Sequence, residues 1–221
     1  MTQRAILSTY RAFVKTEREY RGELTQLCHL MYQKNLITST DGNVSVRFRE
    51  DRILITPSGI HKGFVTPDQL IVTNLKGQKI SGKLNASLEI QMHVGVYEQR
   101  PEITAVVHAH PIHCIAFTLS GLDLGRDCLP EVILSLGEIP IVPYTTPTSY
   151  EVPEKIKDYI EKHDALILDR HGTLTIGKTL LEAFNKLERM EHVAQVMFVA
   201  RQLGPVKHLS QEQLSKLSQI G

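Results

Sequence analysis

The chain has 221 residues, with Lys+Arg 25 against Asp+Glu 24 and a formal net charge of +1, which excludes a general attraction to nucleic acid or to an anionic membrane surface. Hydrophobic residues make up 42% and charged residues 22%, the composition of a globular protein able to bury a substantial core. No apolar run approaches the roughly 20 residues that span a bilayer. The opening stretch MTQRAILSTYRAFVKTEREY carries charges throughout and lacks the apolar core of a secretory signal. Cys28, Cys114 and Cys128 are odd in number and widely spaced, which argues against a disulfide framework. A cytoplasmic enzyme or binding protein is the expectation.

In chain order, Leu24, Leu27, Met31 and Leu36 set a helical stripe over residues 15–34, with Asn35 as its stop. Turn residues in TSTDG precede an alternation at Val44, Val46 and Phe48. After the charged REDR comes RILIT, so residues 43–56 read as a hairpin. LIVTNLKGQKI reads as another strand and turn. Asn85 is a candidate cap for a helix through ASLEIQMHVGVYEQ, with Leu88, Met92, Val94 and Val96 inward. ITAVVH reads as a buried strand, HPIHCIAFTLSG as a short helix ending at Gly121, and VILSL and IPIVPY as two apolar strands. EVPEKIKDYIEK is an amphipathic helix that tolerates Pro153 in its first turn. ALILDR and TLTIGK read as strands joined at His171-Gly172. A long helix follows from Thr179 to Gly204, apolar at Leu181, Phe184, Leu187, Val193, Val196 and Met197, and Ser210 with Gln213 forms a candidate capping box. Early hairpins with interspersed helices predict one α/β domain with a mostly antiparallel or mixed sheet, not a doubly wound parallel one.

The chemistry concentrates in AVVHAHPIHC, residues 105–114. On a strand, His108 and His110 share a face, whereas a helix would set them about 200° apart. Two imidazoles presented side by side suit a metal ion, and they equally suit ordinary strand-end histidines. His171 lies just after an apolar strand and before Gly172, where a glycine allows close backbone approach. Glu89 sits early in a predicted helix between Leu88 and Ile90, an odd place for an acid unless it faces a lysine, a metal or water. His93, one turn on, and His113 compete as ligands. The other histidines, at 29, 61, 163, 192 and 208, lie in polar or helical contexts. Asn43, Ser58 and Ser87 lie in stretches of small and hydroxyl residues that could offer donors to an anion such as phosphate, or serve only as turns and caps.

Taken together, GNVSVR (42–47), LITPSGI (54–60), ASLEIQMH around Glu89, AVVHAHPIHC, IPIVPY (139–144) and DRHGTL (169–174) resemble the class II aldolase/adducin family in order and spacing, most nearly its fuculose-phosphate aldolases. The resemblance covers residues 18–204 of a single domain spanning 1–221. It implies a three-layer α/β/α fold with a central, mostly antiparallel sheet, and a homotetramer with active sites at subunit interfaces. It implies that His108, His110 and His171 hold Zn2+, with Co2+, Mn2+ or Fe2+ as alternatives, that Glu89 is both a ligand and the catalytic acid/base, and that Asn43, Ser58, Gly59 and Ser87 cradle a phosphate. His93 and His113 then support the site from behind. The implied reaction is reversible cleavage of a ketose 1-phosphate to dihydroxyacetone phosphate and an aldehyde through a metal-stabilised enediolate. The partner is a small sugar phosphate, with no nucleic acid and no membrane.

Three positions depart from the fuculose-phosphate pattern. Leu88 replaces a second phosphate-binding serine, Leu134 a tyrosine that acts on the leaving alkoxide, and Pro147 an aromatic of the aldehyde pocket. A methylthioribulose-1-phosphate dehydratase, a sugar-phosphate 4-epimerase and a decarboxylase share the implied metal chemistry. An adducin-like binding module shares the fold without needing Glu89 and the three histidines together.

Overall fold

Alternation in NVSVRFR and RILI folds as the expected hairpin, β1 (Asn43–Arg49) and β2 (Arg52–Ile55), in a computed structural model that describes residues 15–124 and 127–219. Ahead of it lies α1 (Glu17–Gln33), opened by a capping box of Thr16 and Glu19. Behind it come β3 (Ile71–Thr73), β4 (Lys79–Ser81), α2 (Ile90–Gln99), β5 (Ala105–Ala109) and α3 (Ile112–Leu119). The chain continues through α4 (Pro130–Ser135), β6 (Ile141–Val142), α5 (Glu151–Ile160), β7 (Ala165–Leu168), β8 (Gly172–Gly177), α6 (Leu180–Leu203) and α7 (Gln211–Leu217).

The strands form one eight-stranded sheet in the order β4-β3-β2-β1-β5-β8-β7-β6, antiparallel everywhere except between β6 and β7. This is the three-layer, mostly antiparallel architecture expected. One face carries Val44, Val46, Leu54, Val72, Ala105 and Val107 against α1 and the start of α6. The opposite face carries Ile53, Ile55, Ile71, Val106, Leu166 and Leu174 against α2 and α5. A third cluster seats α3 and the middle of α6 over Ala165 and Ile167. Period-two alternation thus serves two cores, because helices cover both faces. The described helices include none long and apolar enough to cross a membrane.

Four local expectations fail. VILSL is not a strand but lies largely within α4, whose first residue is Pro130. A short apolar run does not distinguish strand from helix by period, and proline at a first helical position favours the helix. Asn85 caps nothing, because α2 begins only at Ile90. Residues 85–87 instead run beside 56–58: the Ser58 N–H donates to Asn85 O at 3.0 Å and the Ser87 N–H to Thr56 O at 3.1 Å. That extended run turns Leu88 outward, 69% exposed, where an inward position was expected. In α6, Phe184, Leu187, Val193 and Met197 are buried as expected, but at the helix start Leu180 is buried and Leu181 exposed; the helix bounds at Thr179 and Gly204 and the Ser210–Gln213 capping box stand as read.

Candidate metal centre

Three strands bring the histidines together. His108 is the fourth residue of β5, opposite Asn43 on one side and Leu174 on the other. His110 follows just past the strand's end, on the same side. His171 sits in the turn joining β7 to β8, closed by its N–H donating to Leu168 O at 3.0 Å. Gly172 lets that turn lie against β5: a Cβ there would run into Ala109 O and come within 2.8 Å of His110 Cδ2. The ring centroids are 4.8, 4.8 and 5.1 Å apart, and one nitrogen from each ring falls within a 4.8 Å cluster.

The protonation states favour a cation. Burial drives His108 down to about 3 and His110 to about 4, and lowers His171, so all three imidazoles are neutral near pH 7. His108 Nδ1 is 2.9 Å from Thr173 O, which only accepts, so the proton is on Nδ1 and Nε2 presents a lone pair. That lone pair lies 3.3 Å from Glu89 Oε2 and 3.0 Å from His110 Nε2, while His171 Nε2 lies 3.4 Å from Glu89 Oε1. With His110 and His171 as their Nδ1–H tautomers, these nitrogens and the carboxylate present lone pairs to one another, an arrangement that a positive charge among them would stabilise. A tetrahedral ion with bonds of about 2.1 Å needs its ligand atoms roughly 3.4 Å apart, which these spacings approximate. His110 Nδ1, turned outward, faces Asp41 Oδ2 at 3.7 Å; the Thr173 carbonyl and the Asp41 carboxylate orient the rings as supporting groups do around bound metals.

Glu89 closes the fourth side. It occupies the residue before α2, makes no capping bond to its own helix, and is 12% exposed. Its Oε2 accepts from Asn43 Nδ2 at 2.7 Å; its Oε1 is buried with no hydrogen-bond partner among the described residues. A buried carboxylate oxygen left without a donor costs free energy unless something positive or acidic meets it. The donor set therefore fits a divalent cation.

The remaining candidates separate. Ser58 and Ser87 come side by side through the 56–58/85–87 pairing, with Gly59 exposed at the tip at φ +69°. Ser87 Oγ accepts from the Glu89 N–H at 3.3 Å, which keeps its own proton for another acceptor. Asn43 lies beside this pair in the register that sets Val44 against Thr56, but its side-chain amide is engaged by Glu89 on one side and His93 on the other. His113 pairs with Glu191 at 2.6 Å, away from the triad, and the same carboxylate accepts from the N–H groups of His113 and Cys114. Glu191 thereby caps α3, whose N-cap residue Pro111 makes no side-chain bond.

Sequence reasoning missed Asp41, Ser45, Tyr97 and Lys62. Lys62 is 2% exposed, its ammonium pushed down by burial, and donates to Thr40 O at 2.8 Å and Ile60 O at 2.9 Å. It clips the loop bearing Asp41 to the loop bearing Ser58 and Gly59. A lone lysine beside a turn gives no sequence signal of burial, since lysine is almost never fully buried.

Residues 22–198 match the family described as Class II Aldolase and Adducin N-terminal domain. The chain is 36% identical over 182 residues to an L-fuculose phosphate aldolase of Methanococcus maripaludis, covering 82% of this chain and 97% of that protein. It is 30% identical over 211 residues to the 3-oxo-tetronate 4-phosphate decarboxylase of Escherichia coli K12, covering 93% and 98%. The solved structure of YgbL from Escherichia coli superposes with a TM-score of 0.84 at 29% identity, covering 92% of this chain and 99% of that one.

Proposed function

The chain belongs to the class II aldolase and adducin family, and on that premise we propose that it is a metal-dependent carbon–carbon lyase, cleaving a ketose 1-phosphate of the fuculose-phosphate kind to dihydroxyacetone phosphate and an aldehyde. The observation that carries this reading is the convergence of three neutral imidazoles on Glu89, whose Oε2 is tied to Asn43 while Oε1 has no partner among the described residues. His108, His110, His171 and Glu89 would hold the cation, and three imidazoles favour zinc over cobalt, manganese or iron. Bound there, it would supply Lewis-acid stabilisation for the negative charge left on the donor when the bond breaks. Glu89, freed as the donor enters, would carry a proton through Oε1 to and from the donor carbon at the broken bond. Ser58, Gly59 and Ser87 would hold the phosphate with hydroxyl and N–H donors, fixing that carbon against Glu89. The working form in this reading is a cytoplasmic homotetramer with sites between subunits.

A second reading, decarboxylation of a phosphorylated 3-oxo acid, is favoured by Leu134. It lies on α4, 45% exposed, where the aldolase pattern has a phenol. Aldol cleavage must take a proton from the hydroxyl that becomes the aldehyde, a task for a second base. Loss of CO2 from a 3-oxo acid leaves the same kind of charged donor with no hydroxyl to deprotonate. The donor carbon then takes one proton from solvent by way of Glu89. Release of dihydroxyacetone phosphate from a panel of ketose 1-phosphates and from 3-oxo-tetronate 4-phosphate, with and without chelator, tests both. Chelator-sensitive release with an aldehyde supports the aldolase, and release with CO2 alone supports the decarboxylase. Absence of release from a metal-loaded protein would contradict both and point to a dehydratase or an epimerase.

A further inference from the structure

Glu89, the residue before α2, and His93 and Tyr97 on it are spaced by four, and Asn43, Ser45 and Arg47 by two on β1. Four helical residues rise about 6 Å and two strand residues about 6.6 Å, so the two stripes stay in step where helix and sheet pack. The contacts follow that register. Asn43 reaches Glu89 and His93, Ser45 Oγ lies 2.7 Å from both His93 Nδ1 and Tyr97 Oη, and the Arg47 guanidinium lies over the Tyr97 ring at 5.7 Å. Asn43, Ser45, His93 and Tyr97 are all buried.

The valences fix the direction of every proton. A carboxylate only accepts, so Asn43 turns its NH2 to Glu89 and its carbonyl to His93. An amide oxygen only accepts, so His93 carries its proton on Nε2. Its Nδ1 then accepts from Ser45, whose oxygen in turn accepts from the Tyr97 hydroxyl at 2.7 Å, the shorter of that hydroxyl's two contacts, the other being Thr104 O at 3.3 Å. Burial holds His93 down to about 3, which keeps it the neutral tautomer this direction requires, and pushes the Tyr97 hydroxyl upward so that it stays a donor. All four donors point towards Glu89. Such a chain strengthens each bond along it. The Asn43 amide also interrupts any path for proton transfer, so the chain orients and does not conduct.

We infer that His93, Ser45 and Tyr97 are positioning residues which, through Asn43, hold the Glu89 carboxylate by Oε2 and leave Oε1 free for the reacting proton. This rests on the reading of Glu89 as the acid/base and moves Asn43 from the phosphate to the carboxylate. The surrounding layer is Ile53, Ile55 and Val106, so packing alone does not call for polar side chains here.

The test compares His93→Leu, His93→Gln and Tyr97→Phe. Glutamine presents an acceptor and a donor in the same 1,3 relation as the imidazole nitrogens; leucine presents neither. The readouts are kcat and KM for dihydroxyacetone phosphate release, metal bound per chain, and the urea midpoint. His93→Leu is expected to lower kcat roughly tenfold or more with KM and metal content held, because a misplaced carboxylate loses its near-attack geometry. His93→Gln is expected to recover most of that loss, with Tyr97→Phe between. Wild-type kcat in both His93→Leu and Tyr97→Phe, with only the urea midpoint lowered, would overturn the inference, as would a glutamine variant no better than leucine. Tyr97→Phe keeps the test decisive if His93→Leu fails to fold. Glu89→Gln separates the two layers of argument. Wild-type turnover there removes the reading of Glu89 itself. A dead Glu89→Gln with unimpaired network variants leaves that reading standing and removes this inference.

Discussion

Gly172 leaves the triad no slack, since any side chain there meets Ala109 O and the His110 ring. Gly172→Ala is expected to destabilise the fold by about 1–3 kcal/mol through overpacking and to weaken metal binding as His171 and His110 separate. Urea denaturation and metal titration read both effects, and a variant with wild-type values in each would contradict the account. Acid acts on other residues of the same region. His93, neutral in the fold down to about pH 3, has an ordinary unfolded value of 6.5. Below about pH 6.5 the unfolded chain therefore binds a proton that the folded chain refuses, and stability falls progressively towards pH 3. His108 adds to the same trend. The chelated protein should lose urea resistance between pH 7.5 and 5, and His93→Gln should flatten the slope; an unchanged slope would count against the neutral His93. At this scale H-x-H was legible because strand geometry dictates a shared face. His171 was not, because a turn histidine shows its role only once another strand lies beside it, and Asn43 looked like a turn residue until its amide found Glu89.

At the scale of elements, the first hairpin, the long helix and the Ser210–Gln213 capping box were legible because each is set by neighbours within a few residues. What could not be read was how α2 meets β1. Alternation at Val44, Val46 and Phe48 marks one buried face of β1 and is silent on the other, where Ser45 is fully buried because α2 covers it. The start of α3 was equally opaque, since its cap arrives from α6 in the form of Glu191, 78 residues further on than His113. Removing that carboxylate strands the N–H groups of His113 and Cys114 at a buried helix start. Glu191→Ala is expected to cost about 1–3 kcal/mol. An unchanged thermal midpoint would show that water replaces the cap.

For the whole molecule, the sheet's two covered faces divide the labour. The face against α1 and the start of α6 carries an apolar cluster beside Thr175, whose hydroxyl donates to Ala183 O, and the face against α2 and α5 carries the polar chain that ends at Glu89. Hairpins with interspersed helices made an α/β domain with a mostly antiparallel sheet legible, and the family resemblance implied its three layers, but strand order depends on contacts that no local pattern records. Sedimentation is expected to give a mass about fourfold that of the 24.9 kDa chain, and a monomer at micromolar concentration would contradict the tetramer. The central claim is that His108, His110 and His171 with Glu89 form a metal centre. Its most direct measurement is the divalent metal retained per chain after zinc loading and dialysis, in the wild type and in His171→Ala with its fold verified by circular dichroism. The account predicts a single equivalent in the wild type and its loss in the variant; undiminished metal in His171→Ala, or none in the wild type, would contradict it.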